Sequence, residues 1–388
     1  MNDPDAKNPP IPIIQPRASF EELRTETEQA VLRLLASGDY ILGSEVARLE
    51  KEIAEYLDVP HAVGVSSGTD ALLVAMQELE IGPGDEVITP CFTFIATATV
   101  VMRLGAKPVF VDLDPETYQM SPDGVRAAIS ERTRAIIPVH LYGHPAPMED
   151  YLRIVGEVDH TIAIVEDAAQ AIGTTCKIGK KFLKAGTGGL WGCFSFYPTK
   201  NLPACGEAGL MVTADSTRAE RARRLRHHGQ VAPYRHGLLG GNARLDGVQA
   251  AILRLRLRHL EEWNERRRKH ARKYDRLFAE SGLLSRTEIR LPPKPRPGEV
   301  MNYHQYTIGV PRRDELKVYL SGRQIQTGVY YPVPLSQQPV FSFLGHKEGD
   351  FPAAERASEE VLSLPVHQHL QPGDVERVVA GITEFYGN

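Results

Sequence analysis

Cysteine is scarce in this sequence. Its 388 residues hold four, Cys91, Cys176, Cys193 and Cys205, too few and too scattered for a disulfide scaffold. None belongs to a Cys-x-x-Cys pair, so zinc ribbons and thioredoxin-like redox sites are unsupported. Long apolar runs are missing too. No stretch reaches the length of a membrane span, and residues 1–16 are polar and Pro-rich, so no signal peptide is expected. Charge of one sign is not in excess: 45 Lys and Arg against 49 Asp and Glu leave a net −4. Binding to nucleic acid needs a basic face, so nucleic acid is not expected as the partner. Repeats and low-complexity tracts are absent. What remains is ordinary: 42% hydrophobic and 24% charged residues, enough apolar surface for a core. A cytoplasmic enzyme of two or three domains is the starting expectation.

Residues 1–18 read as loose chain. Ser19-Phe20-Glu21-Glu22 has the form of a capping box and predicts a helix from there through Leu35. A second helix follows Gly43-Ser44, with Val46, Leu49, Ile53 and Leu57 at helical spacing. From His61 the pattern becomes strand–helix alternation. Strands are expected at 62–65, 86–89, 108–111, 135–141, 161–165, 191–196 and 209–212, with helices at 71–79 and 95–104 among the connections. Strands apolar on both faces suit a parallel sheet covered by helices, with ligands outside its carboxyl ends. Asp112, Asp114, His140 and Asp167 each follow such a run. Residues 245–280 predict one long helix with a stripe of Leu253, Leu257, Leu260, Trp263, Tyr274 and Leu277. Its many arginines, interleaved with Glu261, Glu262 and Glu265, read as a solvated, ion-paired face. A Pro-rich stretch at 291–298 precedes a smaller α/β unit. The domains expected are an arm at 1–11, a large domain at 12–250 and a small one at 251–388.

Three motifs carry chemistry. Ser66-Ser67-Gly68-Thr69-Asp70-Ala71 lies between a strand and a helix, where free N–H groups, two hydroxyls and a glycine make an anion site; an ordinary helix cap has the same composition. Asp167 ends a buried strand, where a carboxylate needs a cation such as a protonated heterocycle, or else caps the next segment. Lys200, in Phe194-Ser195-Phe196-Tyr197-Pro198-Thr199-Lys200, sits among bulky apolar residues. Burial there lowers a lysine pKa and makes an amine nucleophile, although a surface lysine with its stem on apolar neighbours reads the same way. Together, the phosphate-type loop, the acid and a lysine 33 residues later are what a pyridoxal-phosphate (PLP) enzyme of the aspartate-aminotransferase fold needs. In that reading Gly68, Thr69 and Ser195 hold the phosphate, Asp167 keeps the pyridine nitrogen protonated, and Lys200 carries the cofactor. His227-His228 lack metal-ligand spacing, and no metal site is expected.

Nearly the whole chain, from about Ile11 onward, resembles the DegT/DnrJ/EryC1/StrS family of nucleotide-sugar aminotransferases. The resemblance is carried by SSGTDAL (66–72), GDEVITPCFTFIATA (84–98), PVHLYGHPAPM (138–148), VEDAAQAIG (165–173), FSFYPTKN (194–201), GGNARLDGVQAAIL (240–253) and GVYYPVP (328–334). It implies a fold-type-I α/β transferase, mostly parallel in its central sheet, with a smaller C-terminal α/β domain. A homodimer with shared active sites, PLP as cofactor, and L-glutamate and a nucleotide-linked keto-sugar as substrates are also implied. By position, Lys200 resembles the cofactor-bearing lysine and Asp167 the ring-nitrogen partner. Gln170 falls beside the cofactor's phenolic oxygen, Phe94 stacks on its ring, and Asn242 reaches the phosphate from the partner subunit. Arg244 shares that loop, and Tyr331 approaches the sugar. Relatives with histidine at the lysine position are dehydratases, so Lys200 favours transamination. The stretch LPACGEAG (202–209) departs from the family pattern at Pro203 and Cys205. YHQYTI (303–308) and GDFPAAERASEEVLSLP (349–365) look more like the 3-keto-sugar branch; the 4-keto branch stays open. Two other readings are a PLP-binding regulator without turnover and a PLP lyase or desulfurase.

Overall fold

The structure, a computed structural model, describes residues 9–387. Two helices, α1 (Pro16–Glu22) and α2 (Arg24–Ser37), precede α3 (Ser44–Leu57). The alternating region then runs β1 (His61–Val65), α4 (Gly68–Glu78), β2 (Glu86–Pro90), α5 (Ala96–Arg103), β3 (Lys107–Val111), α6 (Pro122–Ala128), β4 (Thr133–Ile136), α7 (Met148–Gly156) and β5 (Ala163–Asp167). A hairpin of β6 (Thr175–Ile178) and β7 (Lys181–Lys184) leads to β8 (Trp191–Ser195), β9 (Gly209–Thr213) and α8 (Ser216–Leu225). A small hairpin, β10 (Gln230–Ala232) and β11 (Arg235–His236), precedes α9 (Gly247–Leu257) and α10 (Leu260–Glu280). The chain closes with β12 (Tyr306–Gly309), α11 (Arg313–Gly322), α12 (Pro352–Glu360), β13 (Val361–Leu364) and α13 (Asp374–Gly387).

The central sheet has seven strands in the order β1-β9-β8-β5-β4-β2-β3. Only β9 runs against its neighbours, pairing antiparallel with β1 and β8, so the sheet is mostly parallel as expected. Its strands are apolar on both faces because helices cover both: α3 and α7 contribute to one core layer, α4, α5 and α8 to the other. The parallel strands end together, which gathers the loops after β1, β2, β5 and β8 at one edge. A third core forms around β12, β13, α11 and α13. Tyr274 and Phe278 of α10 reach into it, and Ile11 joins it by pairing with Ile325.

Several local expectations change. Of the arm at 1–11, residues 1–8 lie outside the described residues; Ile11 is buried rather than loose. Helix α1 starts at Pro16, where the fixed φ of proline favours a first turn. Ser19 is therefore no cap: it is buried, its hydroxyl against His369 Nε2 at 2.9 Å. The expected strand 135–141 ends at Ile136, since Pro138 has no N–H for the ladder. The single helix expected over 245–280 divides at Arg258-His259, and Leu260 and Trp263 both stay fully buried across the turn. Arg266 and Arg268 pair with the interleaved Glu262 and Glu265, as the charge pattern implied, whereas Arg254 reaches across to Glu45 and Glu52 of α3. Arg256 and Arg267 do not: both are buried. Among the described residues, no helix is long and apolar enough to cross a membrane.

Candidate active site

A cavity of about 570 Å³ opens at the carboxyl edge of the sheet. After β1 the chain turns through Ser67, which caps α4 by accepting the Asp70 N–H at 3.0 Å. The N–H groups of the first turn, at Gly68 and Thr69, therefore face the cavity with the positive end of the helix behind them. Glycine at 68 is required by packing: a Cβ there would stand 2.7 Å from the Ser195 Cβ. This contact holds the start of α4 against the end of β8, so the helix turn and the Ser195 hydroxyl converge on one spot.

Asp167, the last residue of β5, is buried beneath that edge. Its Oδ2 accepts from the Thr97 hydroxyl at 2.9 Å and its Oδ1 from the Ala169 N–H at 3.2 Å. Burial raises its pKa above the usual carboxylate value; the Thr97 and Ala169 hydrogen bonds and the charge of Lys200 pull the other way. A cation brought against this carboxyl would complete what the neighbours only begin. Lys200 lies half-buried across the cavity. Burial lowers its pKa to about 8, with Asp167 opposing the shift, so a usable share of free amine exists near neutral pH.

Phe94 presents an exposed face to the same space, tilted against Tyr331 with ring centroids 6.2 Å apart. The Gln170 side chain is fixed at both ends. It accepts the Tyr142 N–H at 2.6 Å and donates to the Tyr331 hydroxyl at 3.3 Å. The cavity thus brings together Gly68, Thr69, Phe94, Asp167, Gln170, Ser195, Lys200 and Tyr331. Asn242 and Arg244 stand outside it. Asn242 is exposed and bridges to His227, and Arg244 Nη1 lies 2.9 Å from His227 Nδ1. Asp112, Asp114 and His140 do not line it either. Asp112 accepts the N–H groups of Ala353 and Ala354 at the start of α12, and Asp114 closes its own turn.

The loop at 202–209 is held from α9. Buried Arg256 donates through Nη1 to the Pro203 carbonyl at 2.7 Å and through Nη2 to Cys205 Sγ at 3.4 Å, and Gln249 accepts the Cys205 N–H at 2.8 Å. A second support was not legible in sequence. Asn201, next to Lys200, donates to Asn264 Oδ1 at 2.8 Å and to the Asn302 carbonyl at 3.2 Å, and its own Oδ1 accepts from His304 Nδ1 at 3.1 Å. His304 and Arg267 line the cavity as well. One signal could have found Arg267: it occupies a position of the buried stripe 260, 263, 267, 271, 274, 278, where an arginine is out of place.

The donor set fits a phosphorylated aromatic heterocycle with a protonated ring nitrogen and an aldehyde. The helix start and Ser195 suit the phosphate, Phe94 the ring face, Asp167 the cationic nitrogen and Lys200 the aldehyde carbon.

Known proteins point to the same chemistry. The family model described as the DegT/DnrJ/EryC1/StrS aminotransferase family matches residues 21–383. The chain is 45% identical over 376 residues to a pleiotropic regulatory protein of Geobacillus stearothermophilus, covering 97% of this chain and 98% of that one. It is 44% identical over 380 residues to dTDP-3-amino-3,4,6-trideoxy-alpha-D-glucose transaminase of Streptomyces venezuelae, covering 98% and 97%. Among solved structures it resembles S. venezuelae DesV, crystallised with a ketimine intermediate, at TM-score 0.92 and 42% identity over 98% of this chain and all of that one. Other structural neighbours are described in PLP and PMP forms, and PLP is the cofactor of this family. The chain belongs to the DegT/DnrJ/EryC1/StrS aminotransferase family.

Proposed function

We propose that this protein transfers an amino group from L-glutamate to the C3 keto group of a nucleotide-linked hexose, giving an amino-sugar for polysaccharide or antibiotic-sugar synthesis. The observation that carries the reading is the convergence of Lys200, Asp167 and the α4 helix start on one cavity. Relatives named for 3-amino-sugar transamination support the 3-keto position.

Bound PLP supplies an aldehyde and an electron-withdrawing ring. The chain's own residues do the rest. The Gly68 and Thr69 N–H groups and the Ser195 hydroxyl bind the phosphate. Phe94 covers one ring face, and Gln170 orients the phenolic oxygen. The Asp167 carboxylate keeps a proton on the ring nitrogen. The Lys200 amine would hold the cofactor through its aldehyde carbon. Its Nζ is also the group that would take the proton from the donor carbon, and would act in the reverse direction with the keto-sugar. The Tyr331 hydroxyl, which burial keeps protonated, contacts the sugar.

A second copy of the chain contributes Asn242 and Arg244. Support for this dimer comes from the surrounding surface: Tyr234 is 96% and Leu239 91% exposed in the 227–242 stretch. Tyr40 and Ile41, paired with Gly247 and Asp246, add further exposed apolar surface. On the same reading the protein works in the cytoplasm.

The test is spectroscopic and chemical. Purified protein should absorb in the visible, lose that band on addition of L-glutamate, and regain it with a 3-keto nucleotide sugar. Mass spectrometry of products from 3-keto and 4-keto sugars then assigns the position. A visible band that no amino donor removes would instead support a regulator, the role for which the Geobacillus relative is named.

A further inference from the structure

Three buried asparagines, Asn201, Asn264 and Asn302, stand behind the cavity without lining it. A buried amide is costly unless it is hydrogen-bonded, and all three are bonded at both ends. Asn201 Nδ2 donates to Asn264 Oδ1 at 2.8 Å and to the Asn302 carbonyl at 3.2 Å, and its Oδ1 lies 3.1 Å from His304 Nδ1. Asn302 Nδ2 donates to the carbonyls of Gln170 and Ile172 at 3.1 and 3.0 Å, and its Oδ1 accepts the His304 N–H at 3.0 Å. Asn264 Nδ2 reaches the same Ile172 carbonyl at 3.2 Å. The partners of each NH2 are oxygens, so the amides cannot turn over without losing their bonds. An amide oxygen has no proton to give, so the His304 proton sits on Nδ1. Burial and the cations Lys200 and Arg267 keep that imidazole from taking a second proton.

The two ends of this network lie at the chemistry. Asn201 follows Lys200 directly in the chain, and Asn302 holds the carbonyl of Gln170, whose side chain belongs at the phenolic oxygen of the cofactor. The aldehyde and the phenolic oxygen of PLP stand on adjacent ring atoms, so Lys200 and Gln170 have to be held in register. A fully bonded polar network is a rigid way to do so. Every member of it is also uncharged. The wall behind Lys200 therefore adds no charge to the balance that sets its amine near pKa 8, where burial is opposed by Asp167 alone.

We infer that Asn201 and Asn302 act as one positioning unit, which fixes Lys200 against Gln170 and keeps charge away from the amine. This rests on the transaminase reading above. The same amides join α10 and the 302–304 segment to the loops of the large sheet, so a variant could act through stability alone, and the test must separate the two roles.

The experiment needs no turnover. Apoprotein is mixed with PLP across a pH series, and three quantities are read: the attachment rate, the pH at which that rate inflects, and the pH midpoint of the visible band in the loaded protein. Asn201→Ala should slow attachment by roughly 10- to 100-fold, the cost of a misplaced reacting group. It should also raise the band midpoint by roughly half a unit or more, because a Gln170 out of register no longer donates to the phenolic oxygen and so no longer favours its ionised form. Asn264→Ala removes only one of the three Asn201 contacts and should move both quantities the same way by less. Asn201→Asp places a carboxylate beside Lys200 and should carry the rate inflection from about 8 toward the ordinary 10.5. A fall in Tm with attachment rate, inflection and band midpoint all at native values would overturn the assignment in favour of a purely structural role. If Asn201→Ala does not fold, Asn264→Ala decides alone on the same readouts. Failure of the transaminase reading looks different: the native apoprotein then gains no visible band with PLP, or gains one that L-glutamate does not remove.

Discussion

Glu166, one residue before Asp167, is the sharpest place to test how the site is held. Its side chain is fully buried. Oε1 accepts the N–H groups of Gly188 and Gly189 at 2.7 and 2.6 Å. Oε2 accepts the Gly186 N–H at 2.8 Å and lies 2.8 Å from His140 Nε2. Because the Ala146 N–H donates to His140 Nδ1 at 3.0 Å, the imidazole proton is on Nε2 and points at the carboxylate. Four donors therefore meet one acceptor-only group. Glu166→Gln keeps the shape and leaves no cavity, but puts an NH2 where Oε2 was. Two donors, the Gly186 N–H and the His140 Nε2–H, then face a donor, and neither has an alternative partner. At about 1–3 kcal/mol for each buried group left unsatisfied, the loss is about 2–6 kcal/mol. With an unfolding entropy near 2.1 cal/mol/K per residue, a chain of this length loses roughly 2–8 °C of Tm. Differential scanning calorimetry of the two proteins side by side measures this. A Tm within about 1 °C of the parent would refute the reasoning, since it would mean that the four-donor cage around Glu166 contributes nothing. The cage also bears on function, because the His140 N–H donates to the Asp167 carbonyl at 3.1 Å.

Three further outcomes are expected. Asp167→Asn should bind cofactor but lower amination turnover by roughly 100-fold or more, since it removes the charge opposite the ring nitrogen; steady-state rates near the native value would contradict that role. Gly68→Ala should weaken cofactor binding by about 1–3 kcal/mol, as its Cβ would press on Ser195 at 2.7 Å, and a PLP titration of the apoprotein reads the effect. In stopped-flow measurements on apoprotein, the rate of cofactor attachment should climb as pH rises through about 8, where Lys200 loses its proton, and level off above it. Removing the Asp167 charge should move that inflection down, because the carboxylate favours the protonated amine; an inflection at the ordinary 10.5 would show that burial does not act on Lys200.

Much of the chemistry was legible before any fold was drawn. The helix start at Ser67-Gly68-Thr69, the acid Asp167 and the amine Lys200 announce themselves through local rules, since each sits where an apolar strand gives way to a polar turn. Those rules depend on a few adjacent residues. Most strand and helix positions followed from periodicity for the same reason. The misreadings had physical causes outside the local window. Ser19 has a capping sequence, but Pro16 begins the helix a turn earlier and His369, far along the chain, takes its hydroxyl. The run at 135–141 is apolar except for His140, yet Pro138 ends the ladder.

Sequence by itself pointed to the candidate side chains that share the cavity and to a covered, mostly parallel sheet that presents them at its carboxyl edge, because hydrophobic period and turn chemistry are properties of short segments. Tertiary structure alone decided how those side chains are supported and what electrostatic state they take. The Asn201–Asn264–Asn302–His304 network, the cage on Glu166 and the burial of Arg256 and Arg267 join residues up to more than 100 positions apart. An arginine on a helix reads as a solvated charge until the fold removes its water. At Arg267 that loss of water, with no acid to replace it, leaves a buried charge held by neutral acceptors.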